Sequence, residues 1–269
     1  MSDMPVYDFI AGTNAVVLSM PHSGTGLPDD MHHRLTDSAQ QLPDTDWHVP
    51  RLYDFAKKLG VSILQAHYSR YVIDLNRSPD NKILYPGQTG TGLCPVSSFA
   101  GEALYRDRST PDDDEVKSRI KDYWQPYHRK LQQLLDANIR RFGFAILYDC
   151  HTIRSRVPRL FKGQLPDLNL GTAAGDSCAA DIENRLGHFL QKQPFDYAIN
   201  GRFIGGYITR FYGKPANNVH AIQMELTQRN YMDEKPPYTF IPERARNLQS
   251  VLEEILQILL QTIPSRERT

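Results

Sequence analysis

The stretch Ala145-Ile146-Leu147-Tyr148 runs straight into Asp149-Cys150-His151-Thr152 with no glycine or proline between them. A short apolar run of this kind reads as a buried strand. The fold must therefore carry ionisable groups out of its core on the end of that strand, and His151 becomes a candidate metal ligand. A second run, residues 15–20, stops at Pro21 and gives way to the loop Pro21-His22-Ser23-Gly24-Thr25-Gly26, which puts His22 at another strand end. That loop lacks the lysine of a P-loop and does not meet the G-x-G-x-x-G pattern, which argues against phosphate binding.

Between these two runs the chain alternates. Residues 50–59 read as a helix closed by Gly60, residues 61–66 as a strand, and residues 71–75 as a third strand bracketed by Arg70 and Asn76-Arg77. A guanidinium at a strand end can meet a carboxylate with two parallel hydrogen bonds. Residues 81–108 form a long excursion with a glycine-rich centre, Pro86 to Gly92, of the kind that often serves as a lid. A helix opens at Asp112-Asp113-Asp114, with Val116, Ile120, Tyr123, Tyr127, Leu131, Leu134 and Leu135 at helical spacing, a kink at Pro126 and a stop at Gly143.

Beyond His151 come Arg154, Arg156 and Arg159, a loop up to Gly175, and a helix over residues 176–191 with Ala180, Leu186 and Leu190 inward. Residues 197–199 make a brief strand. Residues 201–213 make a second candidate binding loop, containing Gly205-Gly206 and Arg210. Residues 219–226 alternate, with Ala221, Gln223 and Glu225 on one side, so Glu225 is a carboxylate on a mostly buried strand. A helix over residues 242–262 is structural. Alternating strands and helices imply an α/β fold with a mostly parallel sheet, in which ligands bind beyond the carboxyl ends of the strands. His22, Arg77, His151 and Glu225 are expected to converge there.

Composition narrows the function classes. The 269 residues suit one compact domain over residues 1–269, and 31 basic against 31 acidic residues leave no net charge to favour nucleic acid or an anionic membrane. No signal-like start or spanning apolar run is present, so a cytoplasmic protein is expected. Three cysteines without C-x-x-C spacing argue against a thiolate zinc site, which leaves histidine and carboxylate to hold a metal. Two histidines and a carboxylate make a three-ligand zinc site with room for water. Asp46 is the expected third ligand and His48 the alternative, because in an extended segment both face the same way. Cys150 and His151 face opposite ways on one strand, so Cys150 is a structural thiol and not a nucleophile. The remaining histidines have no comparable setting.

The motifs Pro21-His22-Ser23-Gly24, the Asp46 segment, Ser69-Arg70-Tyr71-Val72-Ile73-Asp74-Leu75-Asn76-Arg77, Asp149-Cys150-His151-Thr152 and Gln223-Met224-Glu225-Leu226 together resemble the N-formylglutamate amidohydrolase family, also called N-formylglutamate deformylase, of histidine degradation. The likeness covers residues from about 15 to about 230. It implies a three-layer α/β/α fold similar to zinc carboxypeptidases and aspartoacylase, with a mixed central sheet and a metal held by two histidines and a carboxylate. In those relatives a glutamate ligand stands three residues after the first histidine. Thr25 stands there in this chain, which is why Asp46 is expected to substitute.

The implied reaction is hydrolysis of N-formyl-L-glutamate, with metal-bound water as nucleophile, zinc the expected metal, Glu225 the general base and Arg70 supporting the oxyanion. Asn76 and Arg77 correspond to a carboxylate-binding pair. The second carboxylate needs help from Arg154, Arg156 or Arg210. Two alternatives stay open: a related hydrolase acting on another N-acyl amino acid or peptide, and a non-catalytic module that binds a dicarboxylic amino acid.

Overall fold

The computed structural model describes residues 4–82, 90–107 and 109–262. Among these residues seven strands form one sheet: β1 (Tyr7–Ile10), β2 (Val16–Met20), β3 (Ser62–Ala66), β4 (Ala145–Ile153), β5 (Leu168–Gly171), β6 (Tyr197–Ile199) and β7 (Val219–Thr227). Their order is β1-β3-β2-β4-β7-β5-β6. The central β3, β2, β4 and β7 are parallel, β1 runs antiparallel to β3, and the parallel pair β5 and β6 runs antiparallel to β7. The sheet is therefore mixed and mostly parallel at its centre, as the alternation of strands and helices implies.

Eight α-helices accompany it among the described residues: α1 (Asp29–His32), α2 (Asp37–Gln40), α3 (Val49–Leu52), α4 (Asp113–Arg119), α5 (Gln125–Phe142), α6 (Ala180–Leu190), α7 (Tyr207–Tyr212) and α8 (Pro242–Gln261). Apart from α1 and α2, whose Met31 and Ala39 pack in a separate cluster with Tyr68, Tyr71 and Leu104, the pleat sorts them into two layers. Val16, Leu18, Ile146, Tyr148, Cys150, Ile222 and Met224 point to one face and pack with Val49 of α3, Ile182 and Leu186 of α6 and Leu248 and Leu252 of α8. Val17, Leu64, Leu147 and Ala221 point to the other face and meet Trp124, Tyr127, Leu131 and Ile208. Both faces are covered by helices, which explains why β2 and β4 are buried at every position.

Several elements differ from the sequence expectation. Residues 71–75 form no strand, although Tyr71, Val72, Ile73 and Leu75 are all buried. Carbonyls within and just after this run are taken by helix side chains instead. Arg119 Nη1 donates to Val72 O at 2.8 Å, His128 Nε2 to Leu75 O at 2.8 Å and Trp124 Nε1 to Arg77 O at 2.9 Å. Burial without a ladder is enough to give an apolar run, so the run was ambiguous.

The helix expected over residues 50–59 is two short pieces, α3 and a 3-10 turn at Asp54–Lys57. The kink expected at Pro126 is absorbed one turn earlier. A π turn at Ile120–Trp124 joins α4 to α5, where Pro126 has no N–H to offer the preceding turn. In α6 the inward residues are Ile182, Leu186 and Leu190, and Ala180 is exposed because the helix starts there rather than at Asp176. Strands β1 and β5, four residues each, were not anticipated. The expected binding loop at residues 201–213 is half helix, since α7 occupies its second part. Of the expected lid, residues 83–89 and residue 108 lie outside the described residues. Among the described residues no helix is long and apolar enough to cross a membrane.

Candidate metal and substrate site

His22 and His151 arrive at the site because parallel strands β2 and β4 are neighbours, and each side chain stands at or just past its strand's carboxyl end. Glu225 is paired directly with His151 in the β4–β7 register, and its alternation with Met224 puts it on the same face. Asp46 is brought in by the backbone: its N–H donates to His22 O at 3.0 Å. His22, Asp46 and His151 are 3%, 1% and 3% exposed, so none of them has water to solvate it. They form a group whose candidate ligand atoms all lie within 4.8 Å of one another. His48 is not part of it. Its backbone is left-handed, φ 62°, and its Nε2 bonds Tyr238 O at 2.7 Å, so the chain turns His48 away immediately after Asp46.

The carboxylates behind the rings fix which nitrogen faces the centre. His22 Nε2 lies 2.7 Å from Asp74 Oδ1, and Arg70 Nη1 lies 3.2 Å from His22 Nδ1. A guanidinium only donates, so Nδ1 carries the lone pair and Nε2 the proton. Burial first, then the Arg70 charge, pushes the His22 pKa down against the pull of Asp74, which keeps the imidazole neutral as a ligand must be.

His151 Nε2 lies 2.8 Å from Asp149 Oδ2, and its Nδ1 lies 3.1 Å from Asp46 Oδ2. Burial alone would lower its pKa, but the Asp149 and Asp46 carboxylates outweigh it and hold the ring in its charged form. A cation beside Nδ1 would meet the same demand and displace that proton. Asp46 Oδ1 is buried with no hydrogen-bond partner among the described residues. The buried carboxylates Asp46, Asp74 and Asp149 outnumber the one guanidinium, Arg70, that is paired into them through Asp74 Oδ2 at 2.7 Å. A neutral ring nitrogen, a second ring held by a carboxylate, an unsatisfied carboxylate oxygen and a surplus of negative charge fit a divalent cation. A carboxylate behind each histidine is the usual outer support of such a centre.

Around this group opens a cleft lined by residues that include Arg70, Asn76, Arg77, Thr91, Phe99, Leu160, Arg202, Phe203, Gln223 and Glu225. Its space, counting the open mouth, is about 620 Å³. Glu225 is 7% exposed, and burial with the nearby Asp46 and Asp149 charges pushes its carboxyl up to about 8 in spite of His151 and Arg70. Arg70 also lies over Phe99, 4.6 Å from the ring centroid.

Asn76 lines the cleft, but its amide is occupied inward. Oδ1 accepts from Ile208 N at 2.8 Å, and Nδ2 lies 2.9 Å from His151 Nε2 and 3.4 Å from Asp149 Oδ2. A Cβ on residue 206 would collide with that amide, which is why a glycine stands there. With Nε2 of His151 protonated towards Asp149, the Asn76 amide N–H donates to Asp149 Oδ2, so both ends of this amide are spent on the protein. Arg77 lines the cleft with Nε anchored on Thr91 O at 3.0 Å.

Arg154 and Arg210 are not brought into this lining. Arg154 faces Asp44 at 3.7 Å, and Arg210 is exposed on α7, its Nε on Gly205 O at 2.9 Å. Arg156, also exposed, donates to Gln164. The cation that does line the cleft, and that sequence reasoning passed over, is Arg202. It falls inside the glycine-rich stretch already singled out. The signal was the stretch, and helix formation at Tyr207 removes Arg210 from it.

Comparison with known proteins agrees with this geometry. The family model described as N-formylglutamate amidohydrolase matches residues 14–232. A protein of Pseudomonas putida named N-formylglutamate deformylase is 47% identical over 256 residues, which is 95% of this chain and 96% of that protein. Its namesake from Pseudomonas aeruginosa is 46% identical over the same shares of each chain. In fold, the chain is similar to the crystal structure of N-formylglutamate amidohydrolase from Ralstonia eutropha JMP134, with a TM-score of 0.80 at 24% identity, covering 95% of this chain and 99% of that one. An Agrobacterium tumefaciens protein follows at a TM-score of 0.72, 14% identity, and 94% and 96% coverage.

Proposed function

Given that the chain belongs to the N-formylglutamate amidohydrolase family, we propose that it hydrolyses N-formyl-L-glutamate to formate and L-glutamate, using one divalent metal ion held by His22, Asp46 and His151. The observation that carries this reading is the buried His-Asp-His group at adjacent strand ends, facing a glutamate on the next strand. A two-nitrogen, one-oxygen donor set suits zinc. When bound, the metal would supply Lewis acidity to the formyl carbonyl and lower the pKa of water.

The protein's own groups do the rest. Glu225, held near neutrality by burial, takes a proton from the attacking water and returns it to the departing amide nitrogen as the C–N bond breaks. Arg70, fixed by Asp74, provides positive charge where the formyl oxygen becomes an oxyanion. Asp74 and Asp149 orient the two imidazoles, and Asn76 steadies Asp149 through its amide N–H. Arg77 receives the α-carboxylate. We place this reaction in the cytoplasm, in histidine degradation, carried out by one domain over residues 1–269.

Measured side by side with the metal-loaded protein, formate release from N-formyl-L-glutamate should far exceed acetate release from N-acetyl-L-glutamate. Equal rates on the two substrates would replace the deformylase reading with a general acyl-amino-acid hydrolase.

A further inference from the structure

We propose that Arg202 is the cation that reads the substrate's side-chain carboxylate, and so makes the site selective for a dicarboxylic amino acid. The inference rests on the deformylase reading and assigns the second anchor that a substrate with two carboxylates requires. Among the described residues, three arginines line the cleft: Arg70, Arg77 and Arg202. Arg70 is 7% exposed and tied to Asp74 and His22 beside the metal group, so its charge belongs to the reacting end. Arg77 is anchored on Thr91 O directly after Asn76, close to the same end. Arg202 stands on a different element and a different kind of wall.

That wall is apolar. Leu160, Phe161 and Phe203 pack against the cluster of Phe99, Ile153, Val157 and Leu165, and Phe161 meets Phe203 edge-on at 6.2 Å. Ile153, Leu160 and Phe203 also line the cleft, an apolar run suited to the two methylene groups of a glutamate side chain. Arg202 is half-buried on this wall. Its Nε donates to Leu160 O at 2.9 Å, and its guanidinium carbon lies 5.1 Å from the centroid of the Phe203 ring. A guanidinium held by its Nε and lying over a ring has already lost much of its rotamer freedom, so that meeting a carboxylate costs it little further entropy.

The spacing between this charge and the reacting end is also fixed. Three residues beyond Phe203, Gly206 N donates to Gln223 Oε1 at 2.7 Å, and Gln223 Nε2 reaches Glu225 Oε2 at 3.4 Å. Ala173 N donates to Ile204 O at 2.6 Å in the same strip. The segment that carries Arg202 is therefore fastened to the strand that carries the base.

The test compares kcat/KM for N-formyl-L-glutamate and for its uncharged isostere N-formyl-L-glutamine, in the metal-loaded wild type and in Arg202→Gln, Arg202→Lys and Arg77→Gln. The wild type should prefer the glutamate substrate by ~10- to 100-fold, the worth of one charge-assisted hydrogen-bond pair. Arg202→Gln should collapse that ratio towards one. Arg202→Lys should restore part of it, which a merely misfolded site would not do. Arg77→Gln should lower kcat/KM on both substrates together and keep the ratio. An Arg202→Gln protein that keeps the wild-type ratio, or that loses both substrates equally with no recovery in Arg202→Lys, overturns the assignment. If instead the wild type releases no formate from N-formyl-L-glutamate, the deformylase reading has failed and takes the assignment with it.

Discussion

The two walls of the cleft are built differently. One is made by strand ends: His22 after β2, His151 on β4 and Glu225 on β7, all less than a tenth exposed and backed by buried carboxylates. The other is made by loops: Arg77 leaning on Thr91, and Arg202 leaning on Leu160 and Phe203, both arginines half-buried. The first wall is set by the sheet and the residues just past it, and the second by a few hydrogen bonds from loop side chains and loop backbone. On the proposed mechanism the chemistry would sit where atomic positions are most tightly set, and the recognition of the substrate's charges where loops can differ.

Substitutions that strike the strand wall should cost most, and those that strike its supports should cost less. His151→Ala should lose bound metal and turnover together, with activity falling to background, as read by elemental analysis alongside formate release. Full metal occupancy in that variant would remove His151 from the ligand set. Glu225→Gln should retain metal and lower kcat by ~10²- to 10⁴-fold, the usual worth of a general base. A near-normal rate would move the base to another group. Asp149→Asn keeps the shape behind His151 but removes the charge, and should weaken metal affinity by ~10- to 100-fold, measured by competition with a chelating dye. A strand wall that tolerates that change unaltered would be no more exacting than the loop wall.

The difference between the walls also explains what the sequence allowed. The strand wall was legible because β2, β4 and β7 are apolar runs that give way to ionisable residues at their carboxyl ends, and a parallel sheet brings neighbouring strand ends together. Asp46 was legible only as one of two choices, because the left-handed turn at His48 that separates them is a backbone event. The loop wall was not legible. Residues 71–75 look like a strand, yet Arg119, Trp124 and His128 on the α4–α5 rod claim the carbonyls of Val72, Arg77 and Leu75, residues that lie up to 53 positions away. The π turn that lets those three side chains face one segment leaves no clear mark in the sequence beyond Pro126. Arg202 and Arg210 occur eight positions apart in one glycine-rich stretch, and only the start of α7 between them decides which one lines the cleft.

The smallest expected effect concerns that rod. His128 is stacked on Trp124 at 3.7 Å between centroids, bonds Leu75 O and Tyr212, and has its pKa lowered to about 3 by burial. In the unfolded chain it takes a proton near the ordinary value of about 6.5. Between those two values the unfolded state binds more protons than the folded one, so the contribution is fully present above about pH 6.5 and is lost as the pH falls towards 3. Urea unfolding should show wild type losing about 2 kcal/mol more than His128→Gln on going from about pH 7.5 to about pH 5. Parallel losses in the two proteins would show that His128 is protonated in the folded state.

The central claim is that the buried His22-Asp46-His151 group holds the metal on which deformylation depends. Its most direct test is to strip the purified protein with a chelator, titrate zinc back and follow formate release from N-formyl-L-glutamate against metal bound per chain. The account predicts no turnover in the stripped protein and a rate that rises linearly and saturates at one metal ion per chain. Full turnover by metal-free protein would contradict it.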